Sequence, residues 1–452
     1  RTVAELYELA CEYNLFLAPV NSPRELYASA QLRAREFFAD DGRPAHFAII
    51  RPGGAAPSSG PARASPASRQ SGGAWAGTRI LDFGAGAAGP IASRYFAEHG
   101  ATVIHVESRV HPDFLRTYAS SPGNPHGLEG SHMFDALNVN KLGVTLNMKH
   151  PRGLALAKRV AFEWADAISE NFAPKAMRGF GMDYDSLAAE RPDLVMVSTC
   201  LMGQTGPHRN YPGFGSQGSA LCGFTFLTGW PDREPVGPFA TITDSLAPRF
   251  TAAALGAALL FRRRTGRGVY LDLSQVEAAV WALTPWMLAY YLGGTTFGRN
   301  GNEDTSGRAR LHGAFRCAGD DRWVAIAAWD DEDLERLVKV AGNDIALWCA
   351  DRSPLEVAEI LQGTGVEAVP VQDFADSHDD PQLGHRGHFQ RLTHRYLGPG
   401  DYERNGFRLS DDDGGYRRSA PTLGQDNAYV LGEILGLSPA EQADLEAEGA
   451  LK

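Results

Sequence analysis

Three glycines and an acid form the first group of residues with a spacing that could do chemistry. Gly84, Gly86 and Gly89 lie in FGAGAAGP, a run almost without side chains, and Glu107 follows. Small residues opening onto a helix start leave bare backbone N–H groups, which suit a phosphate or a carboxylate. Taken literally, Gly84-x-Gly86-x-x-Gly89 with an acid about 20 positions on is the fingerprint of a nicotinamide or flavin dinucleotide site. The same residues also allow plain close packing of a helix on a strand. Asp244, in ITDSLAPRF, stands ahead of a helix expected to begin near Leu246 and reads as a helix cap.

The elements around the glycine run read as strand, loop, helix, strand over residues 77–107. Ile80, Leu81 and Phe83 make a short buried strand, and Pro90 suits the first turn of a helix that Gly100 ends. Residues 102–106 form the second strand. The alternation continues, with strands expected at 143–147, 167–171, 194–200 and 269–272. Helices are expected at 153–164, 184–189 and 247–263. Residues 278–292 read as one core helix, too short and too interrupted by Pro285 to span a bilayer. This βαβ series predicts an α/β fold, a Rossmann-like large domain with a mostly parallel sheet and a smaller α+β domain.

Composition narrows the partners. At 452 residues the chain exceeds one typical core, and a net charge of −11 argues against nucleic acid. Local Lys, Arg and backbone donors must hold any anionic ligand. The five cysteines are scattered with no C-x-x-C pair, as in reduced cytosolic proteins, and the histidines lack paired metal spacing. No secretory signal or membrane span is present, so a cytoplasmic protein is expected. Arg262, Arg263, Arg264 and Arg267 complement a helix C-terminus, with a phosphate contact as the other reading. His208 reads as a surface residue.

Residues 52–76 collapse to Pro, Gly, Ser and Ala and read as a flexible linker. Across it lies an internal repeat. Residues 18–38 align without gaps on 369–389, with Pro19/Pro370, Val20/Val371, Gln31/Gln382, Leu32/Leu383, Arg35/Arg386 and Phe38/Phe389 coinciding. Residues 1–50 therefore resemble the tail of an earlier copy of the domain that follows. The chain opens on Arg1 rather than Met, as a fragment or processed chain would.

In order, the chain carries LDFGAGAAGP, LNVNKLGVTLNMKHPRG, ADAISENFAPKAMRGFG, PDLVMVSTCLMGQTGP, TGRGVYLDLSQVEA and APTLGQDNAYVLGEILGLS. These motifs resemble the family III (formyl-CoA-transferase-like) CoA-transferases over residues 77–452, and the resemblance displaces the dinucleotide reading. It implies a C-terminal remnant of a preceding copy at 1–50 and a flexible linker at 51–76. A large Rossmann-like CoA-binding domain then spans 77–295, a small domain 296–390, and a segment returning to the large domain 391–452. It also implies that subunits interlock as dimers, or that two copies pair within one chain.

The resemblance implies a chemistry too. One carboxylate attacks an acyl-CoA to give a mixed anhydride, CoA returns to give an aspartyl-CoA thioester, and an acceptor acid takes over the CoA. Asp244 matches that nucleophile. Ala87, Ala88, Leu146, Lys149, Asn171 and Phe172 match CoA-contacting positions. Arg178 stands one place out of register with the basic residue after ENF-x-P, and Ser108 with Arg109 stands where an arginine is common. CoA and acyl-CoA are then substrates, a carboxylic acid is the other partner, and no tightly bound cofactor or metal is implied. Two departures bear on the substrate. Gly215 replaces an acid common in the family, and RNGNEDTSG replaces the glycine-only loop of formyl-CoA transferase. Phe214 stands where the related acyl-CoA racemases carry a His, so a racemase lacks its second proton carrier. A non-catalytic structural half and a NAD-dependent oxidoreductase are the remaining alternatives.

Overall fold

The computed structural model describes residues 1–55, 72–118, 124–238, 241–412 and 414–452. The chain divides into two compact units, one of residues 1–225, 237–296 and 388–452, the other of 226–236 and 297–387. The first holds a seven-stranded sheet built from β1 (Ile49–Ala55), β2 (Arg79–Asp82), β3 (Thr102–Glu107), β4 (Leu142–Thr145), β5 (Ala167–Glu170), β6 (Val195–Cys200) and β7 (Arg267–Ser274). Their order is β1-β7-β6-β5-β2-β3-β4, parallel throughout except for β1. Every residue of β5 and β6 is buried, as expected of strands covered on both faces.

Alternate residues of the same strands feed two cores. Leu81, Ile104, Ile168 and Met196 pack with the helical stretch 151–164 and with Val430, Leu431, Leu445 and Leu451 near the C-terminus. Ile80, Val103, Val195, Val197 and Leu271 pack on the other face, against the helices Ala88–Glu98 and Ile242–Thr265. The second unit is smaller. It holds the antiparallel strands β8 (Leu311–Arg316), β9 (Trp323–Ala328) and β10 (Glu367–Val371), in the order β10-β9-β8. Three helices, Asp331–Ala341, Ile345–Ala350 and Pro354–Gln362, close their core around Val324, Ile326, Leu337 and Leu361. Among the described residues no helix is long and apolar enough to cross a membrane.

The structure departs from the sequence expectations in four places. Residues 51–55 of the expected linker belong to strand β1, where Ile49 pairs with Asp272 and Pro52 with Val269. Pro52 is tolerated because β1 is an edge strand. The rest of the low-complexity stretch, 56–71, lies outside the described residues. The expected helix 278–292 is two helices, Gln275–Ala282 and Thr284–Gly293, because Pro285 disfavours helix at the residue before it and starts a new first turn. Three of the four clustered arginines bond within the fold rather than only facing the helix end: Arg262 binds Asp193 and Asp166, Arg263 binds Thr78, and Arg267 binds the carbonyl of Gly53. His208 is buried, not on the surface, with its Nε2 3.1 Å from Glu8 and Tyr7 edge-on to its ring.

The internal repeat extends further in three dimensions than in sequence. At the register that pairs Pro19 with Pro370, the helices Pro23–Ala28 and Ala30–Ala34 fall on Phe374–Asp379 and Pro381–His385. Helix Val3–Tyr13 falls on Pro354–Gln362, and Thr2, Ser22 and Ser29 fall on the cap residues Ser353, Asp373 and Asp380. Asn14 and Gly365 both take left-handed conformations. The bond from Leu15 N–H to Ala10 O reappears from Val366 N–H to Leu361 O.

Residues 1–38, the plug, are seated in the unit of the large sheet. Arg35 donates to both oxygens of Glu277, to Asp272 at 2.7 Å and to the Thr205 hydroxyl. Gln31 donates to the carbonyls of Met202 and Thr205, and its oxygen accepts from His208 N–H. Gly203 and Gly206 face these two side chains so closely that a Cβ would stand 2.3 Å from Arg35 Cζ and 2.4 Å from Gln31 Oε1. Glycine at both positions is what lets the plug in.

Removing one partner of a buried ion pair leaves charge without compensation. Arg35→Ala is therefore expected to lower unfolding stability by about 3–5 kcal/mol, read by urea titration. An unmoved midpoint would show that the seat does not depend on this pair.

Candidate active site

The glycine loop is braced by side chains rather than left bare. Gly84 N–H donates to Asp82, Ala85 N–H to Asn171 and Gly86 N–H to Asp113. The three N–H groups expected to meet a phosphate are thus already engaged. Helix Ala88–Glu98 begins just beyond, with Ala87 at its cap and Ala88 as its first residue, so the two predicted CoA positions stand at the helix start. Asp82 is itself fixed from below. Ser93 and the fully buried Lys141 donate to its second oxygen, and His105 Nδ1 lies 3.4 Å away. Burial works against that carboxylate, but Lys141 and His105 hold it well below the usual range. Gly86 has φ +72°, and a Cβ there would stand 2.7 Å from the ring of Phe114.

The other predicted contacts divide. Asn171, at the end of β5, clasps Ala85 from both sides, accepting at 2.8 Å and donating at 2.7 Å. Its first duty is to hold the loop. Leu146, just past β4, is core, so its backbone alone is at hand. Lys149 is exposed beside His111, with Nζ 3.1 Å from the ring nitrogen. Phe172 is half-buried, with its N–H on Glu170 and its carbonyl accepting from Gln204. Arg178 lines a separate cavity of about 140 Å³ with Tyr184, Tyr270 and Glu170. Ser108 donates to the carbonyl of Lys452 and Arg109 to that of Leu423, which ties both to the C-terminal segment. All of these follow the carboxyl ends of parallel strands, the edge at which open α/β sheets bind ligands.

Asp244 lies in the same unit. Its helix starts at Ile242, earlier than expected, so Thr241 is the cap residue and Asp244 stands in the first turn. Negative charge is favoured there by the helix dipole. Burial pushes its carboxyl above the ordinary aspartate value, and hydrogen bonds from the Thr241 side chain and the Gly215 N–H pull it back. No cation contributes among the described residues. Pro248 lacks the N–H that would bond the carbonyl of Asp244, which loosens the helix at that residue.

Gly215 has a role that its sequence position did not reveal. A Cβ on it would stand 2.5 Å from Asp244 Oδ2 and 2.3 Å from Thr241 Cβ. The position that holds an acid elsewhere here brings a backbone donor against the carboxylate. Phe214, the residue before it, lies 5.4 Å from Phe114, the ring over the glycine loop. On its other side it stacks on Phe16 at 5.3 Å and 12°. One aromatic wall therefore joins loop, acid and plug. Thr241, Phe114 and Phe16 carried no signal in the sequence. Glu170 carried none either; it is fully buried at the end of β5, and burial pushes its pKa up to about 7.

The arrangement offers a desolvated carboxylate with fixed backbone donors, a braced helix start and apolar walls. That suits attack on an activated acyl group. Comparison with known proteins agrees. The family described as CoA-transferase family III matches residues 75–347 and 341–427. The chain is similar to the beta subunit of succinyl-CoA–L-malate CoA-transferase of Chloroflexus aurantiacus, 29% identical over 82% of this chain and 97% of that one. It is 30% identical to a probable CoA-transferase of Mycobacterium tuberculosis, over 83% of this chain but 50% of that one. A CAIB/BAIF family protein from Brucella suis has the same fold, with a TM-score of 0.73 and 26% identity over 80% of this chain and all of its own. The chain belongs to CoA-transferase family III, an enzyme family that transfers CoA.

Proposed function

We propose that this chain moves CoA from an acyl-CoA to a carboxylic acid through Asp244. The observation that carries the reading is the half-buried Asp244 carboxylate held by Gly215 N–H in the unit that carries the glycine loop. In the first step Asp244 attacks the thioester carbonyl, the C–S bond breaks and CoA leaves as thiolate. The thiolate then attacks the aspartyl carbonyl of the anhydride, releasing the first acid and leaving an aspartyl-CoA thioester. The acceptor carboxylate repeats the exchange in reverse order and restores Asp244. No step consumes a proton or an oxidant, so the chemistry needs no bound cofactor. Ala87 and Ala88 at the helix start, with Lys149 as a point charge, are suited to the CoA phosphates.

The exposed second plug supports a partner. Gln31, Leu32 and Arg35 are buried in the seat, whereas Gln382 and Arg386 are exposed and Leu383 is half-buried. Phe374 is 79% exposed, and its counterpart Pro23 is buried. We therefore propose that residues 353–389 enter the acidic seat of a second CoA-transferase large unit. The M. tuberculosis relative, of which this chain matches half, fits a two-copy arrangement.

Three outcomes test these statements. Incubation with short acyl-CoAs and then borohydride is expected to convert Asp244 to homoserine, seen by peptide mass and absent in Asp244→Ala. Full activity in that variant would instead favour a structural role. Because burial raises the Asp244 carboxyl, the acid limb of kcat/KM is expected above the ordinary aspartate value of about 4. Activity is lost as pH falls through that limb. Sedimentation of the full chain mixed with a copy shortened to residues 39–452, whose seat is vacant, is expected to show a complex that Arg386→Glu weakens at least tenfold; binding indifferent to that change would sink the pairing.

A further inference from the structure

The two plugs share their fold but differ at one place that matters. Their helices, caps, left-handed residues and hairpin bond coincide, and within this shared frame Phe16 stands where the second copy has Glu367. The frame therefore does not need a phenyl ring there. Phe16 is nonetheless fixed in place. On one side Tyr211 OH donates to the carbonyl of Leu17 at 3.0 Å. On the other, Asn21 holds the end of helix Gly215–Leu221, donating its amide to Leu221 O and its N–H to Ala220 O. That helix begins at Gly215, which touches Asp244. The plug thus grips both ends of the element that carries Phe214 and the Asp244 donor.

Phe16 is 58% exposed, Phe214 47% and Phe114 37%, although the three rings run in contact. Exposed rings in contact with one another, next to the half-buried Asp244 and its Gly215 donor, are apolar surface kept open for a ligand. The charges in the same unit point the same way. Burial and two hydrogen bonds govern Asp244, and no cation among the described residues acts on it. The guanidinium of Arg249, the next arginine along its helix, is bonded to the carbonyl of Ser245. A second carboxylate on the acyl chain would be desolvated against those rings.

We infer that Phe16 is a specificity-determining residue of the Asp244 site, and that with Phe214 it selects an acid with an aryl or extended apolar chain. The inference rests on the transfer reading above and deepens it. Stacking and burial of one more ring favour an aryl acyl group over a dicarboxylic one. The position tests itself, because the second copy tolerates a carboxylate in the same frame. Phe16→Glu adopts a residue type that this fold already carries.

The experiment measures kcat/KM for phenylacetyl-CoA and succinyl-CoA as donors with the full chain, its Phe16→Glu and Phe16→Ala variants, and Phe16→Tyr as the conservative control. Equilibrium binding of both esters is titrated alongside, so that a chain that binds without turnover still gives a ratio. The wild-type chain is expected to prefer phenylacetyl-CoA. Phe16→Ala is expected to cut the preference at least tenfold, mostly through KM, Phe16→Glu to cut it further, and Phe16→Tyr to keep it. A wild-type preference for succinyl-CoA overturns the inference. So does an equal loss for both esters, which would mean that the ring serves the shared CoA part or the fold. Selective binding without any borohydride-trapped adduct at Asp244 would overturn the transfer reading and leave the selectivity standing.

Discussion

A carboxylate that must leave water and still be able to ionise sets the terms for the rest of the unit. Desolvation alone would keep Asp244 protonated and inert. The structure answers with donors that do not have to move: the Gly215 N–H, the Thr241 side chain and the start of a long helix. The donor can be backbone only because residue 215 has no Cβ; a side chain would occupy the space of Oδ2. In the proposed transfer, a neighbouring arginine would stabilise the ground-state carboxylate more than the anhydride and would slow its attack.

Rigidity of the glycine loop comes from a deeper layer. Asp82 holds Gly84, Asn171 holds Ala85 and Asp113 holds Gly86, so the loop has little freedom left. Lys141 and Ser93 fix Asp82 in turn. A buried network of this kind is costly if half-satisfied and stiff when complete. Its effect is that the helix start at Ala87 and Ala88 is presented at a fixed place relative to β2 and β5.

The strands and most helices were legible because apolar runs and glycine breaks decide them locally. The 102–107 strand and the helix after Pro90 follow from patterns within a dozen residues. The family motifs led to Asp244 and to the loop. What stayed hidden was pairing between distant residues. Gly203 and Gly206 sit in CLMGQTGP; both take positive φ, and the further reason for glycine there is Arg35 and Gln31, far off in sequence. Residues 51–55 read as linker because Pro and Gly dominate them, yet an edge position on β7 tolerates both. Phe16 and Phe114 are ordinary phenylalanines until the plug is seated. Gly215 looked like the loss of an acid because a sequence shows which side chain is missing and not what its backbone donates to.

The plug also shows how a repeated element can keep its fold and change its chemistry. Positions that make the frame are held in both copies by physics that is easy to state. Caps must accept N–H groups, one residue must take positive φ, and Gln, Leu and Arg must match a seat of carbonyls and carboxylates. Residue 16 belongs to none of these sets. It stacks on Phe214 and takes no part in the Arg–carboxylate bonds, and Glu367 stands at the corresponding position of residues 353–389. In a pair of sites completed by two such plugs, the anchoring energy would come from the Arg–carboxylate seat in both. The choice of acid would come from one residue in each. Affinity of the plug and selectivity of the site are then separable, because they are carried by residues that do not touch.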